Sequence, residues 1–172
     1  DATVALRLLI IRFEHDLDAA LTGLALGDRP DDTAVAWLAT ALTIEECCQW
    51  AWQRTAAAAE PLSGGRPRAD PASGTEPPRG LRAGGGRAGG YLELWRHLTR
   101  RAAPSPAAAA LLAYAAWLAG NGALAWAAVQ RALVAPRYFP AKVMAEVLAS
   151  GLPPHEITAR MAVLRAHRRP GT

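Results

Sequence analysis

The sequence predicts an all-α protein of about eight helices, packed as helical hairpins and interrupted by one long, disordered Gly/Pro/Arg-rich tether. Hydrophobic residues make up 51% of the 172 residues, but aromatic residues only 6%. Much of the apolar content is alanine, which is the strongest helix former and a poor strand residue. Clusters of Val, Ile, Thr and Tyr that would indicate strands are nearly absent, and apolar residues recur at helical spacing instead.

The first segment, residues 1–60, is predicted to contain three helices. Their expected ranges are 3–24, 33–42 and 44–58. Gly27 and Pro30 follow the first apolar stripe and are expected to end that helix. Asp31 or Asp32 stands where a side-chain oxygen accepts from the first free N–H groups of the next helix.

The third helix begins with a candidate capping box. Thr43 and Glu46 have the spacing at which each side chain satisfies the other residue's backbone N–H. Three tryptophans of this segment are interpreted as anchors between packed helices, because large aromatic side chains dominate helical cores. They are Trp37, Trp50 and Trp52.

Residues 61–90 are predicted to be a flexible linker. Fourteen of these 30 residues are Gly or Pro, and the segment offers too little apolar surface to offset the entropy of ordering. Gly84, Gly86 and Gly89 match G-x-G-x-x-G, but that motif indicates a dinucleotide site only between a strand and a helix. We therefore expect no cofactor. Arginine and glycine together can contact nucleic acid, yet the stacking aromatics of such binders are missing.

The C-terminal segment, residues 91–172, is predicted to contain five helices that pack on residues 1–60. Their expected ranges are 91–101, 106–119, 122–135, 140–149 and 155–168. Pro106 suits a first helical turn, and Asn121 can cap the helix after it. Pro136 and Gly151 are expected to end the helices that precede them.

The stretch from Trp117 to Tyr138 is predicted to build a tightly packed helical hairpin. A glycine turn separates two apolar runs, and alanines seven residues apart share one helix face, which allows a neighbouring helix to approach closely. The order of these residues is similar to that of a tetratricopeptide hairpin. The structural residues of the hairpin are Gly120, Asn121, Gly122, Ala125, Ala132 and Pro136.

Charge is distributed unevenly along the chain. The net charge is −6 over residues 1–60, +3 over residues 61–90 and +7 over residues 91–172, which gives +4 in total. Such asymmetry is compatible with attraction between the two helical segments, or with an anionic partner for the second segment. Sequence alone leaves both open.

Several features define the expected setting. Residues 1–24 lack the bounded apolar region of a signal peptide, and the apolar run 107–119 is too short to cross a bilayer. Cys47 and Cys48 are adjacent, which is unfavourable for a disulfide, and are interpreted as small hydrophobic residues of a helix. We expect a cytoplasmic protein with no membrane association.

Two regions resemble a bacterial family, domain of unknown function 4192. Residues 12–43 are similar to its central helices, and the C-terminal segment carries its motifs. These motifs are Leu94-Trp95, Ala109–Leu112, Ala116–Ala125, Arg131–Tyr138 and Gly151–Pro154. The chain has Cys47, Cys48 and Gln49 where members often have a Val-Arg-Asp-like motif. The resemblance implies a helical fold and a bacterial cytoplasmic setting, and it implies no activity.

The sequence favours a non-enzymatic protein and leaves an enzyme of unknown type as the least favoured alternative. The four histidines, at positions 15, 97, 155 and 167, include no pair at the spacing that places two metal ligands on one helix face. The acidic cluster over residues 14–18 is interpreted as a solvated helix face, and Ser105 as a helix cap. No nucleophile, base and orienting group can be combined into a catalytic set. We expect no metal and no catalytic residues.

Two classes of binding function remain. The first is a scaffold or protein-interaction module, in which aromatic residues line a groove and Arg131 either pairs with Glu146 or contacts a partner. Its candidate residues are Trp95, Tyr114, Trp117, Trp126, Arg131 and Tyr138. The alternative is a nucleic-acid-associated protein that uses its basic C-terminal helix. The candidate residues for that function are Arg160, Arg165, Arg168 and Arg169.

Overall fold

The chain folds into helices throughout the part that the structure describes. This computed structural model describes residues 1–59, 87–102, 104–154 and 156. Seven helices and no strand occur within those ranges, which confirms the all-α prediction. The helices are α1 (Ala2–Leu26), α2 (Asp32–Ala41), α3 (Glu45–Ala59), α4 (Arg87–Arg101), α5 (Pro106–Leu118), α6 (Gly122–Ala132) and α7 (Phe139–Ala149). Most of the predicted tether, and nearly all of the predicted last helix over 155–168, lie outside the described residues.

Side-chain caps begin four of these helices, and the sequence predicted three of them, at α2, α5 and α6. The Asp31 carboxylate accepts from the Ala34 N–H at 2.8 Å, and the Asn121 side chain accepts from the Leu124 N–H at 3.1 Å. Ser105 acts in the same way at the start of α5, where its hydroxyl accepts from Ala108 at 3.3 Å. Each bond satisfies a backbone donor that has no partner within its own helix.

The predicted capping box at α3 is wrong. Helix α3 begins at Glu45, and the Thr43 hydroxyl donates to the Thr40 carbonyl at 2.7 Å. The Thr43 N–H is also directed to that carbonyl, at 3.0 Å. The connection from α2 to α3 is so short that Thr43 satisfies the Thr40 carbonyl at the C-terminal end of α2 rather than an N–H group of α3.

Helix α4 starts four residues earlier than the sequence predicted. Residues 87–90, which were assigned to the tether because of their two glycines, form its first turn. Gly90 packs against α1, since a Cβ atom on it would lie 3.5 Å from the Leu21 Cδ2 atom. Packing against α1 and the burial of Tyr91 thus outweigh the weak helix propensity of glycine.

Helix α5 lies at the centre of the fold. It contacts α3, α4, α6 and α7, and ten of its 13 residues are buried. A helix that is apolar on every side is stable only when neighbours surround it, and small alanine side chains allow those neighbours to approach closely. No helix in the described ranges is both long enough and apolar enough to span a membrane.

The α5–α6 connection confirms the predicted hairpin. Gly120 has a φ of 73°, a left-handed conformation that glycine adopts without steric cost. The Asn121 cap follows, and α6 begins at Gly122. Ala125 and Ala132 are both fully buried. Helix α6 ends at Ala132, three residues before the predicted end, and Pro136 lies in the turn that follows.

One buried hydrogen bond joins α3 to α4. The Trp95 side chain is fully buried, and its indole Nε1–H donates to the Thr55 hydroxyl at 3.1 Å. That hydroxyl in turn donates to the Ala51 carbonyl at 2.8 Å. The bond satisfies the polar atom of the largest core side chain, so Trp95 can be buried without an unpaired donor.

We predict that Thr55→Val lowers the free energy of unfolding by about 1–3 kcal/mol, because the shape is retained while the indole donor stays buried and unpaired. Thr40→Val is the matched control: the Thr40 hydroxyl also donates to a carbonyl four residues earlier, at 2.8 Å, but it is exposed, and a change within about 0.5 kcal/mol is expected. Urea unfolding measures both. Equal effects of the two substitutions would show that the Trp95 bond contributes nothing.

We also predict that Ala125→Leu destabilises the fold by about 1–3 kcal/mol, because the added atoms overpack the contact between α5 and α6. Ala127 lies on the exposed side of the same helix, so Ala127→Leu should change stability by no more than about 0.5 kcal/mol. Thermal unfolding followed by circular dichroism tests the pair. An unchanged melting temperature in the Ala125 variant contradicts close packing at this position.

Candidate interaction surface

Helix α6 divides into a buried face and an exposed face. Ala125, Ala128, Val129 and Ala132 are buried, and they recur at the spacing of one helix side. The opposite side is exposed and mixes apolar with polar side chains. Its residues are Trp126, Ala127, Gln130 and Arg131.

Apolar side chains are also exposed in the turn after α6 and on the outer side of α7, the helix that contacts α6. Ala141 and Met144 face the core, which leaves Phe139 and Val143, four residues apart, on the outer side. Phe139 is 71% exposed and Val134 in the turn is 80% exposed. We call Trp126, Arg131, Val134, Phe139 and Val143 the outer hairpin surface.

Two of the predicted partner-binding residues do line this surface. Trp126 keeps 45% of its surface exposed, and Arg131, five residues further along α6, is also exposed. The proposed ion pair between Arg131 and Glu146 does not form among the described residues. Both side chains are exposed to solvent instead.

Trp95 and Trp117 do not belong to a surface groove, contrary to the sequence prediction. Trp95 is fully buried between α3 and α4 and is therefore inaccessible to a partner. Trp117 is 8% exposed, and its indole Nε1–H donates to the Leu152 carbonyl at 3.2 Å. Both rings serve packing, because each indole has its polar atom satisfied within the chain.

The two tyrosines among the predicted partner-binding residues are half-buried rather than exposed to solvent. The Tyr114 ring lies between two indoles, with centroids 4.7 Å from Trp52 and 6.1 Å from Trp117, so these three rings form a row from α3 to α5. The Tyr138 Oη atom lies 3.4 Å from the Cys48 Sγ atom. Burial raises the pKa of the Tyr138 phenol above its ordinary value, and the Cys48 contact raises it further.

The predicted nucleic-acid-binding residues lie outside the described residues. Arg160, Arg165, Arg168 and Arg169 all follow residue 156. The nucleic-acid alternative thus stays a prediction where these four arginines are concerned.

The acidic cluster of α1 is engaged in ion pairs. Asp16 is partly buried, which opposes ionisation, but hydrogen bonds with His15 and Arg12 outweigh this and lower its pKa. Asp18 accepts from Arg54 of α3 at 3.1 and 3.2 Å. In the described ranges, no group of three or more His, Cys, Asp or Glu side chains is placed to hold a metal ion.

A second candidate site, which the sequence did not predict, is a cationic groove between α4 and the α1–α2 connection. It encloses about 170 Å³. We call it the α4 groove and define it by Arg29, Glu93, Arg96, His97, Arg100 and Arg101. Five of these residues recur on α4 at one-turn spacing, a signal that the sequence contains. Arg29 was missed because only the fold brings it to α4.

Most of the polar groups in the α4 groove have partners. Arg96 pairs with Glu93 one turn earlier on α4, and Arg101 pairs with Asp32 at the start of α2 at 2.6 Å. The His97 Nε2–H donates to the Pro30 carbonyl at 2.9 Å. His97 thus anchors the α1–α2 connection to α4.

Comparison with known families identifies the family of this chain. A family model described as "Domain of unknown function (DUF4192)" matches residues 11–155. The chain belongs to the DUF4192 family. The match confirms the resemblance seen in the sequence, whereas the likeness to tetratricopeptide hairpins stays a prediction. Searches of curated proteins and of solved structures found no match.

Both candidate sites lie within the DUF4192 region. The outer hairpin surface and the α4 groove fall wholly inside residues 11–155. A third exposed feature, the apolar stripe of Val4, Leu8 and Ile11 on α1, lies almost entirely before this region. The first two features are therefore the ones that can belong to the family's shared domain.

We predict that Tyr138 makes stability sensitive to alkaline pH. The folded-state pKa is raised above the unfolded value near 10, so the phenol's contribution is complete below about pH 10 and is lost as the pH rises further. Between pH 10 and 11, the wild-type chain should lose about 1 kcal/mol more than Tyr138→Phe, because the unfolded phenol is already half ionised at pH 10. Urea unfolding at a series of pH values measures this difference. Parallel pH profiles would contradict a buried neutral phenol.

Proposed function

We propose that this chain is a helical binding module that engages a protein partner through the outer hairpin surface and carries out no chemistry of its own. The observation that carries the proposal is the exposure of Trp126 on α6 and Phe139 on α7, two helices that contact each other and bury their other faces in the core. Exposed aromatic residues of this size on neighbouring elements are typical of interaction sites.

The composition of the outer hairpin surface supports this function. Tryptophan and arginine are the residue types that most often dominate binding energy at interfaces, and Trp126 and Arg131 border the two edges of the exposed side of α6. Polar residues border the apolar ones, as in interfaces with an apolar centre and a polar rim. These bordering residues are Gln130, Lys142 and Glu146.

The charges around the surface indicate the kind of partner. Arg131, Arg137 and Lys142 are exposed on or beside it, against one acid, Glu146. We therefore propose a partner segment that supplies an apolar anchor flanked by acidic residues, because opposite charges steer and orient association.

The non-catalytic part of the proposal is supported by the roles of the polar residues. Asp16 and Asp18 are held in ion pairs with arginines, and His97 donates to a backbone carbonyl. Each of these groups stabilises a contact within the chain. None of these contacts joins a nucleophile to a base.

Photo-crosslinking in source cells tests the proposal. A photoreactive residue replaces Gln130, which borders the outer hairpin surface, in one variant and Gln53, exposed on α3, in a control. We expect the first variant to capture a discrete protein carrying an acidic segment, and the control not to capture it. Phe139→Ser added to the first variant should abolish capture, while circular dichroism shows an unchanged helical content.

The same partner captured from both positions would contradict the proposal, as would capture that survives Phe139→Ser. Crosslinks joining two copies of this chain would contradict the heterologous partner and assign the surface to self-association. Sedimentation of the purified chain distinguishes that outcome, because self-association depends on its own concentration.

A further inference from the structure

We propose that the α4 groove is a binding site for a phosphate group, held by Arg29 and Arg100. This is a second binding function, separate from the outer hairpin surface. The groove is a concave space of about 170 Å³ in which side chains from two different elements converge. Four of the six residues that define it are arginines, the residue type whose planar fork matches phosphate oxygens best.

The ion pairs around the groove determine which arginines are available. Arg96 is neutralised by Glu93, and Arg101 by Asp32. Arg29 and Arg100 make no hydrogen bond or ion pair with any described residue. Two uncompensated guanidinium groups therefore border one concavity, where an anion would relieve their mutual repulsion.

Helix electrostatics alone do not account for this arrangement. Cations at the C-terminal end of α4 interact favourably with the helix dipole, which explains Arg100 and Arg101. Arg29 lies outside any helix, in the connection between α1 and α2. Its position depends on the fold, since the His97 bond to Pro30 fixes that connection against α4 at 2.9 Å.

A neighbouring depression offers space for the rest of a ligand. It encloses about 310 Å³ and shares Arg101 with the α4 groove. Its walls include Val35, Ala36 and Ala39 of α2, so it presents apolar surface next to a cationic end. A phosphorylated small molecule with an apolar portion fits this pair of spaces, because binding sites commonly combine apolar walls with a few polar groups.

Calorimetric titration of the full chain with inorganic pyrophosphate at low ionic strength tests the site. We expect saturable binding that Arg29→Gln and Arg100→Gln each weaken about tenfold, the usual effect of losing one charge-assisted hydrogen bond. Arg7→Gln is the matched control, because Arg7 is exposed on α1 away from the groove. It should change the affinity less than about twofold.

Absence of pyrophosphate binding would overturn the proposal, and so would equal weakening by Arg7→Gln, which indicates general charge attraction. A second titration with short oligothymidylate distinguishes the source of the phosphate. Oligonucleotide binding that competes with pyrophosphate and is weakened by Arg100→Gln assigns the site to a nucleic-acid backbone. Oligonucleotide binding unaffected by Arg100→Gln, beside pyrophosphate binding that is affected, assigns it to a small phosphorylated ligand.

Discussion

Close packing around the alanine-rich helix α5 is the constraint on which the rest of this structure depends. Four other helices contact α5, and its small side chains leave no room for bulk on the facing sides. The helices that face α5 also carry small residues at the contact, such as Ala125, Ala128 and Ala132 of α6. Because so much of the core is alanine, the few large core residues must fill the remaining space, and Trp95 is the largest of them.

The packing of this core determines which side chains remain exposed on the surface. Once the inner faces of α6 and α7 are packed in the core, large side chains on their other faces remain exposed, and Trp126 and Phe139 are the clearest examples. The α4 groove arises in a comparable way. Helix α4 buries Leu94, Trp95 and Leu98, so its arginine-bearing side turns toward the α1–α2 connection. Each candidate site is thus formed by the exposed side of helices whose opposite side is packed in the core.

The sequence predicted the helices well, because their apolar spacing and end signals act locally, as at Asp31, Asn121 and Gly120. The sequence predictions were wrong where contacts with neighbouring helices determine the structure. Thr43 does not cap α3, because its hydroxyl donates to the Thr40 carbonyl of α2. The first turn of α4 forms because Gly90 packs on Leu21 of α1. Periodicity could not sort the tryptophans into Trp95 inside and Trp126 outside, since both look equally apolar. The sequence did not predict the α4 groove, because the groove depends on a contact between Pro30 and His97, which are 67 positions apart.

The row of Trp52, Tyr114 and Trp117 has a spectroscopic consequence. These rings come from two helices and hold fixed mutual orientations, with interplanar angles of 44° and 26°. Such chiral arrangements of chromophores produce circular dichroism in the near ultraviolet, and that signal disappears when side chains lose their fixed packing even if helices persist. The chain therefore carries an intrinsic optical reporter that separates its native packing from a loosened helical globule.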